Sequence, residues 1–291
     1  MCSVRVIRSR AVRYLVAAVA VCGFITGGAT RTAVASELKA SKVTTTYSIN
    51  FSGFNIGSLR LRARLNGNRY KIAANANISV LGGVLYEWKG RTTTSGRVVQ
   101  HEPQPYNYTF GYRTANRGED IGVKFTNNNV REIDVNPPQM PSGKRVPITR
   151  RHMRNVIDPL SAAIILSNVA SNKKGRSVCN QRLPIFDGKA RYDLRLSYKR
   201  TKRIRTRTGY KGPAYICKVK FVPIAGHRPS NKESRYAART EGMEIWLIPV
   251  KRAELYIPYY VRIPTPMGAA SLTASHYEVE VEGRRRSAFT Q

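Results

Sequence analysis

From Val43 onward, β-branched and aromatic residues recur at every second position, in runs closed by short turn signals. Such a pattern puts one face of an extended strand toward a core and the other toward water, and it does not fit the 3.6-residue repeat of a helix. Thr45, Tyr47, Ile49 and Phe51 alternate, Ser52 to Asn55 turn the chain, and Ile56, Leu59, Leu61, Ala63 and Leu65 answer them on the way back. A second turn at Asn66-Gly67-Asn68 leads to Tyr70, Ile72, Ala74, Ala76 and Ile78. Beyond Gly82-Gly83, a strand from Leu85 reaches the Ser95-Gly96 turn. Pro103 and Pro105 then break the pattern before strands near 106–113, 120–126 and 130–135. Residues 43–135 thus read as a meander of about seven strands.

A loop over 136–157, rich in Pro, Gly and Ser over much of its length, delivers the chain to a helix expected at 158–170. Asp158 is the expected N-cap and Pro159 fits the first helical position. Leu160, Ala162, Ala163, Ile164, Ile165, Leu166 and Val169 make the helix apolar nearly all round, so it must be buried. It plugs the curl of the sheet or lies across one face of it. A second set of strands spans 178–282, opening with a hairpin at Asp187-Gly188 and interrupted by a loop at 224–240. The fold class expected is mainly β: one large antiparallel sheet, curled into a barrel-like or spiral form around a single buried central helix.

Residues 1–35 have the order of a secretory signal. Arg5, Arg8, Arg10 and Arg13 precede an apolar run from Tyr14 to Ile25, and Ala33-Val34-Ala35 offers small residues for cleavage. Cleavage after Ala35 leaves a single β-rich domain over 36–291 and places it in the periplasm. The apolar run is shorter than the ~20 residues that span a bilayer, and Val21 before Cys22 does not suit lipidation. Loss of the leader removes five arginines and lowers the formal charge from +33 to about +28. For an exported chain that charge implies anionic envelope lipid, lipopolysaccharide or an envelope protein as partner, and not nucleic acid. Peripheral contact with a membrane would suffice, because no later stretch is long and apolar enough to span one. The composition leaves the oligomeric state open.

Cys2 and Cys22 leave with the leader, so Cys179 and Cys217 remain as a pair in an oxidising compartment. A disulfide between them closes a loop of about 38 residues and contributes about 4 kcal/mol by the chain-entropy argument. A metal pair or redox site is disfavoured by the wide spacing without a neighbouring His or CxxC. His101, His152, His227 and His276 are scattered without ligand spacing, and no GxSxG occurs. Asp158, Asp187 and Asp193 each have a plain role as cap, turn residue or surface charge. No metal, cofactor or catalytic residue is therefore assigned.

Basic residues carry more information. Lys199, Arg200, Lys202, Arg203, Arg205 and Arg207 fall within nine positions, with Lys211 close behind. Arg150, Arg151 and Arg154 precede the expected helix, and Arg284, Arg285 and Arg286 lie near the C-terminus. Arg203, Arg205 and Arg207 would share one strand face and present a row of guanidinium groups to phosphates. A solvated strand face is the plain alternative for any one cluster.

The order of several short motifs resembles the bacterial family catalogued as domain of unknown function 3108. They are the Tyr47 to Leu61 stretch with Gly53 and Gly57, the Ser95-Gly96 turn, Asp158-Pro159-Leu160-Ser161, Phe186-Asp187-Gly188 with Tyr192, and Ile245-Trp246-Leu247 with Pro258 and Pro264. The resemblance implies an exported, β-rich envelope protein and supplies no catalytic residues. The expected role is binding, as an accessory or scaffold protein of the envelope. A periplasmic carrier of an apolar ligand is the alternative and a hydrolase a more distant one. An outer-membrane barrel fits poorly, since Ala288-Phe289-Thr290-Gln291 ends without an aromatic residue and the strands are rich in Arg and Lys.

Overall fold

The structure is a computed structural model that describes residues 41–84, 86–139, 143–167, 173–206, 209–250, 255–281 and 284–287. The expected leader at 1–35, Arg207 and the end of the expected helix at 168–170 lie outside the described residues.

Fourteen strands form one antiparallel sheet. The first seven are β1 (Ser41–Phe51), β2 (Phe54–Asn66), β3 (Arg69–Val80), β4 (Tyr86–Val99), β5 (Glu102–Thr114), β6 (Gly118–Thr126) and β7 (Asn129–Asn136). The second set is β8 (Gln181–Phe186), β9 (Arg191–Arg205), β10 (Lys211–Ala225), β11 (Glu244–Val250), β12 (Leu255–Thr265), β13 (Gly268–Val281) and β14 (Arg284–Ser287). Hairpin pairing joins neighbours within each set, and β1 pairs with β13 to fuse the two halves. The spatial order is β7-β6-β5-β4-β3-β2-β1-β13-β12-β11-β10-β9-β8, with β14 beside β13.

Three hairpins close in tight turns, and the β4–β5 turn falls at Gln100-His101, which corrects the expected turn at Ser95-Gly96: that pair lies inside β4 at a register shift. Ser52 and Gly53, Gln100 and His101, and Asn127 and Asn128 all have positive φ. Two consecutive positive φ values are the mark of the two-residue turn whose twist matches antiparallel strands. Along β2, Leu59, Leu61, Ala63 and Leu65 face inward while Arg60, Arg62 and Arg64 face out.

The sheet does not close by hydrogen bonding, since β7 and β8 are unpaired with each other. It curls until its ends meet through side chains. Phe186 of β8 is buried with Tyr108, Ile121, Val123 and Phe125 of β5 and β6. Lys189 Nζ reaches Glu119 Oε2 at 2.6 Å. The segment before residue 158 straps the two ends: Val156 N–H donates to Asn128 O at 2.8 Å, and Ile157 pairs in parallel with Ile185 of β8. The disulfide joins Cys179 to Cys217 of β10, with Cα atoms 5.2 Å apart and both residues buried.

The expected single buried helix is corrected in two ways. Residues 158–161 form a capped turn, and the regular helix α1 is only Ala162–Leu166, with Ala162 and Ile164 buried and its other residues half-buried. A second helix, α2 (Lys232–Arg239), occupies the span expected to be a loop. Asn231 caps it by accepting from Ser234 N–H at 2.7 Å. Ile164 packs into a cluster with Tyr70, Ile248 and Tyr277, while Ala162, Ile165 and Leu166 pack into another with Leu183 and Leu247.

Candidate anion-binding surface

The basic run on β9 lies where that strand outgrows its neighbour. β8 pairs with it only as far as Leu196, so residues 197–205 keep one edge free of β8 while β10 holds the other. Lys199, Arg200, Lys202, Arg203 and Arg205 are all exposed. They do not act as one row. Lys199 is engaged by Glu244 Oε1, and Lys202 Nζ stands over the Trp246 ring at 5.8 Å, a cation–π contact. Glu244 is held by Lys199 and by Trp246 Nε1, which donates to it at 3.0 Å. Burial works against ionising this carboxyl, and the two hydrogen bonds overcome it, so Glu244 titrates below its ordinary value. Arg203 and Arg205 share a face, with Lys211 opposite Arg205. Arg284, Arg285 and Arg286 lie on β14, paired to β13 by backbone, and their side chains fall outside the described residues.

A more regular cationic row stands on β2, on positions that the sequence reading passed over. Arg60, Arg62 and Arg64 alternate on its outer face, about 7 Å apart in the repeat of an extended strand. Lys71 of β3 lies opposite Arg64, and Arg91 of β4 continues the row through Asn75. Among the described residues, no ion pair involves Arg60, Arg62, Arg64 or Lys71. The signal was present in Leu59-Arg-Leu-Arg-Ala-Arg-Leu65: the alternation that announces the strand also announces a one-charge outer face.

Where the sheet ends meet, a cleft of about 500 Å³ is lined by Arg154, Arg182, Arg191, Asn128 and Glu102 among others. Two of its arginines are committed. Arg182 Nε donates to Asp193 Oδ2 at 2.8 Å, and Arg191 Nη1 stands 2.7 Å from Asp193 Oδ1, with Asp193 fully buried between them. Asp193 is thus a buried counter-charge, and the expectation of a surface charge is corrected.

Asp158 is also fully buried. Its Oδ1 accepts from the N–H groups of Leu160 and Ser161 at 2.9 Å each, and its Oδ2 accepts from Thr94 Oγ1 at 2.9 Å and from Ser161 Oγ. Burial pushes its carboxyl above the ordinary value, against these hydrogen bonds. Asp187 is raised for the same reason, although Lys189 and Ala190 donate to it from the backbone. Both aspartates organise turns. Among the described residues no group of three or more His, Cys, Asp or Glu converges as a metal site, and no helix is long and apolar enough to cross a membrane.

What the surface offers is therefore guanidinium and ammonium groups on strand faces. Arginine suits phosphate because its planar fork matches two oxygens at once. No curated protein matches the chain. One solved structure similar to it is the β-barrel-like protein of domain of unknown function DUF1849 from Brucella abortus. It is 8% identical, with 84% of this chain and 99% of that chain covered and a TM-score of 0.48. The family model described as protein of unknown function (DUF3108) matches residues 46–275, from β1 into β13, and the chain belongs to that family.

Proposed function

We propose that the protein works in the cell envelope by binding, as a periplasmic accessory or scaffold component that holds an anionic surface. Phosphate groups of lipid or of lipopolysaccharide have the chemistry its surface fits. The observation that carries this reading is the outer face of β2, where Arg60, Arg62 and Arg64 stand exposed and outside the ion pairs of the described residues. Arg203 and Arg205 on β9 add a second patch. Each basic residue close to an anionic membrane adds about 1 kcal/mol of attraction, so a handful gives stable peripheral association without a pocket. Export is supported by the leader pattern and by the Cys179–Cys217 bridge, which suits an oxidising space. The interior beside α1 is occupied by Tyr70, Ile164, Ile248 and Tyr277, which weighs against a ligand chamber there.

Co-sedimentation with vesicles of phosphatidylcholine, with and without phosphatidylglycerol, tests the reading. The protein is expected to bind only the anionic vesicles and to lose affinity steeply with salt. The triple variant Arg60→Glu, Arg62→Glu, Arg64→Glu should bind at least tenfold more weakly. Indifference of the wild type to anionic lipid, or full binding by the triple variant, would overturn it.

A further inference from the structure

Six of the ten large apolar side chains that are exposed among the described residues belong to one end of the sheet. Phe54 is 77% exposed at the β1–β2 turn, Leu81 72% and Val84 87% at the β3–β4 turn, and Met267 84% at the β12–β13 turn. Tyr86 and Ile263 flank them and are also exposed. Hairpin turns ordinarily carry small and polar residues, and single exposed apolar residues are unremarkable. The clustering is what calls for an explanation.

The three turns are neighbours. Their strands are consecutive in the order β4-β3-β2-β1-β13-β12. Ser52 N–H donates to Ala269 O at 2.9 Å, tying the first turn to the third, and Gly57 pairs with Ile78, bringing the second alongside the first. With strands about 4.8 Å apart, the tips make a ridge about 25 Å long. Its shoulders are cationic. Past β4, the β5–β6 turn carries exposed Arg117. Past β12, the β10–β11 connection carries α2, which packs against β10 and β12. Lys232, Arg235 and Arg239 line a groove of about 460 Å³ on that helix, at spacings that set them along one stripe. Glu87, at the start of β4, is already paired with Lys89 at 2.9 Å.

We propose that this end of the sheet is the membrane-docking end, with the tips of the three hairpins entering the interface of an anionic bilayer while Arg117 and α2 meet its phosphates. Apolar and aromatic groups flanked by basic ones are the pattern by which a protein lies on a bilayer without crossing it. Arg60, Arg62 and Arg64 lie along β2 away from the ridge, so their attraction steers the protein to the surface, and the ridge with its basic shoulders sets orientation and depth. The inference rests on the lipid-binding reading above and names the part of the molecule that would carry it.

The test uses the purified protein with its disulfide intact and vesicles of phosphatidylcholine containing phosphatidylglycerol. The triple variant Phe54→Ser, Val84→Ser, Met267→Ser removes apolar tips and no charge. Each truncation of a large inserted side chain should lower partitioning about tenfold, so the triple falls by well over a hundredfold. The conservative pair Phe54→Leu, Met267→Leu should retain partitioning within a few-fold. Since the tips are exposed, the thermal midpoint of both variants should stay at the wild-type value. Phe54→Trp should shift its emission to the blue on vesicles and be quenched by brominated lipid. Wild-type partitioning by the serine triple, or unchanged Phe54→Trp emission, would overturn the inference. If charge reversal at Arg60, Arg62 and Arg64 abolishes binding while the serine triple does not, only this inference falls. If the wild type ignores anionic vesicles, the lipid reading falls with it. A serine triple that turns a dimer into a monomer while binding vesicles normally would make the ridge a self-association surface and overturn the proposal.

Discussion

Tyr70 of β3 and Ser161 at the entrance to α1 share a buried hydrogen bond, 2.7 Å between their hydroxyl oxygens across 91 positions of sequence. Ser161 gives its own proton to Asp158, so Tyr70 is the donor. Thr94 of β4 donates to the same carboxylate, so the start of α1 is pinned to two adjacent strands. Tyr70→Phe keeps the ring and removes this donor, leaving Ser161 Oγ, as acceptor, only the longer contact with Thr94 Oγ1 at 3.3 Å. Loss of such a buried bond costs about 1–2 kcal/mol. Urea unfolding of the two proteins measures it, and equal midpoints would show that the bond contributes nothing.

Asp158 makes a different prediction because burial raises its pKa above the ordinary 3.8. A carboxyl whose folded pKa is raised binds protons more tightly in the native state. Its contribution is then most favourable below about 3.8 and declines as pH climbs to the raised value. Asp158→Asn removes that titration while keeping an acceptor for the N–H groups of Leu160 and Ser161. The stability advantage of the wild type over the variant should therefore shrink as pH rises above 3.8. Denaturant titrations of both proteins on the two sides of that pH check the sign, and an advantage that grows with pH refutes it.

The strands were legible because alternation is a local signal, and most turns announced themselves by Gly, Asn or Pro. The β4–β5 turn did not: it falls at Gln100-His101, while the expected Ser95-Gly96 turn lies within β4 at a register shift and Pro103 and Pro105 lie within β5. The pairing of β1 with β13 was not legible, since period two says which face a residue takes and nothing about the partner. The Asp158-Pro159 start was readable as a cap, but not the burial that makes Asp158 join Thr94 and Ser161. α2 was missed because Gly226, Pro229, Ser230 and Asn231 look like loop, while Asn231 is in fact its cap. The site shows the same division. Clustered charge drew attention to Lys199 through Arg205, yet two lysines there are held by Glu244 and Trp246, whose approach depends on the β10–β11 register. The evenly spaced Arg60, Arg62 and Arg64 were read only through their apolar partners.

The Cys179–Cys217 bridge ties the short turn at Gly175–Cys179 to β10 within a buried cluster. Replacing both cysteines with serine frees a 38-residue loop and should lower stability by about 4 kcal/mol. The native protein should show no thiol at these positions to a thiol reagent until reductant and denaturant are supplied together, since both residues are fully buried. Two thiols reacting in the folded, unreduced protein would refute the bridge.

The meeting of the sheet ends can be tested at Gly188. It sits in the β8–β9 turn at φ +94°, and a Cβ there would overlap a methyl of Ile121 on β6. Gly53 in the β1–β2 turn has nearly the same φ, +92°, but open space around it. Alanine at either position meets the same backbone penalty of about 1 kcal/mol. Only Gly188→Ala also forces the β8–β9 turn away from β6, an overpacking effect that adds about 1–3 kcal/mol. The excess of Gly188→Ala over Gly53→Ala in urea unfolding therefore reports the contact between sheet ends. If the two variants unfold at the same midpoint, the turn does not rest on Ile121 and the curl is looser than the buried Phe186 implies.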